Sequence, residues 1–115
     1  MIKILVDEGY AYDYLAILAV KTRKFRTEAS IASFDQCYDY ILKQVGQELH
    51  ANIMKSDEYF HLFYTNQETF DAVEQARYAQ ISAKEVDDLN MKRYKAKVAL
   101  QNKFFPKQKI LEHKT

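Results

Sequence analysis

The sequence predicts an all-α fold: a small antiparallel helical bundle of about four helices, with a short extended N-terminal segment. Three observations carry this. The chain has 2 Gly and 1 Pro in 115 residues, and sheets with many tight turns need more of both. Apolar residues recur at steps of three and four, the period of one helical face. Serines with capping potential, Ser33, Ser56 and Ser82, stand ahead of three such stretches. The length suits one domain, read as residues 1–106 followed by a Lys-rich tail, 107–115. A hydrophobic content of 48% excludes disorder for most of the chain.

Ile2-Lys3-Ile4-Leu5-Val6 is the one β-type run, short and β-branched, ending at Asp7-Glu8-Gly9. An isolated strand leaves its backbone groups unpaired. It must pair with Gln108 to Leu111, pair with a second subunit, or lie over the bundle as an extended arm.

Tyr10 to Lys21 reads as the first helix, with Asp7 as its N-cap. Apolar residues surround it almost completely, from Tyr10, Ala11, Tyr12 and Tyr14 to Val20. Such a helix is enclosed on several sides, or one face meets another subunit. Asp13 interrupts it, read first as an exposed or Arg/Lys-paired carboxylate and second as a functional one. Residues 27–32 are expected to connect this helix to the next.

Ser33 to Lys55 is expected to form one long helix, the spine of the bundle. Ser33 and Gln36 have capping-box spacing. Phe34, Cys37, Tyr38, Ile41, Leu42, Val45, Leu49 and Ile53 lie on one face. The helix would span roughly 33 Å. Gly46 is its weak point, because an interior glycine costs about 0.8–1 kcal/mol relative to alanine. Ser56 caps a third helix, Asp57 to about Ala79, with a second capping box at Thr65 and Glu68 as an alternative break. The continuous helix is preferred. Ser82 and Glu85 form the clearest capping box and open a fourth helix, Ala83 to about Phe104, which Pro106 ends.

Charge is divided unevenly. Residues 1–90 sum to −6 and residues 91–115 to +7. Lys21, Arg23, Lys24 and Arg26, with Lys92, Arg93, Lys95 and Lys97, are the candidate nucleic-acid contacts, since sequence-independent binding needs little beyond clustered cations. Neutralisation between the two halves explains the same pattern, and no nucleic-acid-binding signature is present.

Nine Tyr and seven Phe point to contact surfaces, because a tyrosine suits a boundary with one apolar and one wet side. Tyr10, Tyr12, Tyr14, Tyr38 and Tyr40 are the candidate interface residues. Glu58 and His61 have Glu-x-x-His spacing, and His50 precedes the same turn. They are weak metal candidates, since a di-iron bundle requires a second such motif, and no metal or other cofactor is assigned. Phosphate loops and nucleophile motifs are absent, so no catalytic residue is assigned and no enzyme activity is expected. The single Cys37 suits a reducing compartment. The longest apolar run, Tyr14 to Val20, is far shorter than a membrane span, and the N-terminal residues do not resemble a signal peptide. The expectation is a cytoplasmic, non-enzymatic helical interaction module that self-associates. A small nucleic-acid-associated accessory protein is the alternative.

Overall fold

Four polar side chains start four of the helices. Asp7, Thr27, Ser56 and Ser82 each hold extended backbone and accept from the N–H three residues on, at Tyr10, Ser30, Tyr59 and Glu85 respectively. Each satisfies a donor that the first helical turn would leave bare. The computed structural model describes residues 2, 4–78 and 81–107. These residues form α1 (Glu8–Phe25), α2 (Glu28–Val45), α3 (Gln47–Met54), α4 (Asp57–Arg77) and α5 (Ala83–Phe104). The all-α fold is as expected, with five helices in place of about four.

The additional helix comes from the expected spine. Gly46 adopts φ 100° and ψ 149°, a conformation that residues with a Cβ rarely reach. The Ser33–Lys55 stretch is therefore two helices, α2 and α3, and not one. Its start is also earlier than the capping box at Ser33 suggested. Thr27 accepts from the Ser30 N–H at 3.1 Å, and the Ser30 hydroxyl donates to the Thr27 carbonyl at 2.9 Å. Residues 28–32 are therefore helical and are not a connection. α4 runs unbroken through Thr65, whose hydroxyl donates to the Leu62 carbonyl within the helix. α5 begins after Ser82 and ends before Pro106, as the sequence indicated.

Cross-helix pairs set the directions. Glu8 and Gly9 meet Gln101, and Asp13 meets Arg93, so α5 runs antiparallel to α1. Glu58 meets Lys103 and Glu68 meets Lys92, so α5 is antiparallel to α4 as well. α1 packs against α2, α4 and α5. It is the central element, a role the sequence had suggested for Ser33–Lys55. Tyr12, Leu15 and Ala16 of α1 meet Ile41 of α2, Ile53 of α3, Tyr59 and Leu62 of α4, and Ala96 and Leu100 of α5. α2 buries only Ile41 completely.

Among the described residues there is no strand. Residues 4–7 are neither helix nor strand, and Ile2, Ile4 and Leu5 are 90%, 76% and 89% exposed. The proposed partner Gln108 to Leu111 lies outside the described residues, as does the tail beyond Lys107. No helix among the described residues is long and apolar enough to cross a membrane.

Candidate interaction surface

The outer face of α1 follows from its helical spacing. Tyr10 and Tyr14, one turn apart, point away from the core and stay 40% and 49% exposed. Ile17, a further turn along, is half-buried. The exposed run Ile2, Ile4, Leu5 and Val6 leads directly into this face. Of the other expected interface tyrosines, Tyr40 is 53% exposed on α2 and Tyr38 is half-buried. Tyr12 does not fit an interface. It is fully buried, and its hydroxyl and the His50 Nδ1 share a hydrogen bond at 2.8 Å.

Of the eight candidate nucleic-acid cations, one is buried and three face acids. Lys97 is 5% exposed, with its ammonium over the Tyr10 ring at 5.4 Å and the Tyr94 ring at 5.6 Å. Burial lowers its pKa, the nearby Arg93 adds to that, and Asp13 and Asp7 oppose it. Arg93 Nε lies 3.5 Å from Asp13. Lys24 pairs with Asp71, and Lys92 with Glu68. Lys21, Arg23, Arg26 and Lys95 are exposed. Three cations of α5, Lys92, Arg93 and Lys103, thus meet acids of α1 and α4 across helix boundaries.

The metal candidates do not converge. His50 faces the core, His61 is exposed, and Glu58 accepts from Lys103 at 2.9 Å. That hydrogen bond holds the Glu58 carboxyl below its usual pKa. Among the described residues, no group of three or more His, Cys, Asp or Glu side chains is placed to hold a metal ion.

Sequence reading missed a polar seam between α1, α4 and α5. Asp13, 3% exposed, accepts from Asn66 at 2.8 Å and faces Arg93. Further along, the Gln101 side chain accepts from the Gly9 N–H and donates to Glu8 at 2.8 Å. Thr65 and Thr69 turn their hydroxyls back onto α4 carbonyls. The paired reading of Asp13 was available from the sequence, but its partners lie 53 and 80 residues away and carry no local signal. A shallow cleft of about 190 Å³ opens beside this seam, lined by Ile17, Val20, Asn66, Thr69, Phe70, Val73 and Arg93. It is smaller than the roughly 300–1,000 Å³ of small-molecule sites.

Comparison with protein-family models, curated proteins and solved structures returned no match for the chain.

Proposed function

We propose that the chain is a non-enzymatic helical interaction module that associates with a second copy of itself. The observation that carries this reading is the set of exposed apolar side chains Ile2, Ile4, Leu5 and Val6 ahead of α1, with Tyr10 and Tyr14 exposed on α1 itself. A β-branched run of this kind suits strand pairing with a second copy. A two-fold arrangement would set the segment of one protomer beside its own copy, each lying along the tyrosine face of the other. The interior polar groups favour a structural role over a catalytic one, because Asp13, Asn66 and Arg93 engage each other. A half-buried free Cys37, its pKa raised by burial, suits a reducing, cytoplasmic setting.

Sedimentation velocity from low to high micromolar concentration tests the reading. A dimer is expected for the wild type. A monomer with unchanged helix content is expected for the Ile4→Glu/Leu5→Glu variant. A wild-type chain that stays monomeric throughout that range would sink the proposal. Nucleic-acid binding is the weaker reading, because Lys24, Lys92 and Arg93 face acids and Lys97 is buried. Of the eight, Lys21, Arg23, Arg26 and Lys95 remain to serve it together with the basic C-terminal tail, and it calls for affinity that falls steeply with salt.

A further inference from the structure

His50 of α3 is enclosed, 1% exposed, against α1 and α2. From α1, Tyr12 bonds its Nδ1 at 2.8 Å and stacks on its ring, with centroids 5.7 Å apart. From α2, Tyr38 meets it edge to face at 4.6 Å. From α4, Tyr59 packs on the far side of Tyr12 at 6.4 Å. Cys37 of α2 stands near Tyr59. These facing groups are a thiol and phenols, and burial raises the pKa values of Cys37, Tyr12 and Tyr59, which keeps them neutral. The other ring nitrogen, Nε2, is buried and has no hydrogen-bond partner among the described residues. Either neutral tautomer therefore leaves one nitrogen bare. The imidazolium would place a second N–H and a full charge there with no acceptor among the described residues, which burial disfavours. The aromatic rings offset only part of that cost.

The helix that carries His50 is the least secured in the fold. α3 has eight residues and lacks a side-chain N-cap, and isolated helices of that length are marginal in water. It packs against α2 and α4. Its two buried residues are His50 and Ile53. It joins α2 through Gly46, which is exposed, has positive φ and has nothing within 4 Å of an added Cβ.

We propose that α3 is an acid-released latch: protonation of His50 frees Gln47–Met54 from the core by movement about Gly46, baring Tyr12 and Tyr38. This device is independent of self-association. The sign follows from linkage. A histidine in the open segment takes its proton near pH 6.5, whereas burial lowers the pKa of the enclosed ring. As pH falls below 6.5 the open form binds more protons, so acidification favours opening.

Hydrogen exchange of the full chain at pH 7.5 and 5.0, corrected for intrinsic rates, tests this. Protection of the α3 amides is expected to drop about tenfold, while the α5 amides around Ala96–Gln101 keep theirs. Unchanged α3 protection would overturn the latch, and so would an equal loss in every helix. In the His50→Gln variant the α3 response should vanish; an undiminished response would refute the role of His50. Should that variant fail to fold, NMR titration of His50 in the wild type decides. Its midpoint must lie below 6.5 and coincide with the loss of α3 protection. A midpoint at or above 6.5, or titration without opening, rejects the proposal.

Discussion

Gly9 of α1 lies directly against α5. A Cβ added there would stand 3.0 Å from the Lys97 carbonyl oxygen and 3.1 Å from Gln101 Oε1. The backbone oxygen cannot move aside cheaply, and Gln101 is held by the Gly9 N–H and Glu8. Gly9→Ala is therefore expected to lower the unfolding free energy by about 1–3 kcal/mol, the usual cost of overpacking, read from the urea midpoint. No loss would mean that the α1–α5 contact is looser than its geometry. In the sequence Gly9 looked like the end of the β-type run, because the residue it touches lies 92 positions away. Asp13 was more legible. Its place inside an apolar helix left it either exposed or paired with Arg or Lys, and the fold buries it against Arg93 and Asn66. Tyr12 was misplaced at an interface because helical spacing alone does not say which side of a helix apolar all round is covered.

Helix starts were legible wherever a capping side chain stood outside a helix with no competitor upstream. Asp7, Ser56 and Ser82 are of this kind. Ser33 had the right spacing, but Thr27 had already nucleated the helix through Ser30. The break at Gly46 was invisible to periodicity, because Val45, Leu49 and Ile53 continue the same stripe across it. What separates α2 from α3 is a backbone torsion. Gly46→Ala tests this, since the substituted Cβ meets no neighbour and any effect must come from the positive φ. A loss of about 1–3 kcal/mol is expected, measured by chemical denaturation, with the folded-state circular dichroism retained. Equal or greater stability would mean that the chain passes between the two helices without needing a glycine.

The uneven charge of the two chain halves invited a partner outside the chain, yet the fold sets α5 against acids on α1 and α4. Among the apolar side chains that the fold leaves exposed are Ile2, Ile4, Leu5 and Val6, with Tyr10 and Tyr14 of α1. Sequence pattern identified the run and the tyrosines but not which tyrosines stay exposed, which depends on the packing of α1 that leaves Tyr10 and Tyr14 outside and buries Tyr12. If a second copy covers this surface, folding and association are linked, and a species that binds only the native form raises its stability by mass action. The melting temperature should then depend on concentration. A 100-fold increase in protein is expected to raise it by about 5 °C for a chain of this size, followed by circular dichroism in cells of different path length. The Leu5→Glu variant should melt at one temperature at every concentration, close to that of the dilute wild type. Leu5 is 89% exposed, so within a monomer the substitution has little packing to disturb. A wild-type melting temperature independent of concentration, with Leu5→Glu melting at the same point, would leave the exposed path without a second copy to cover it.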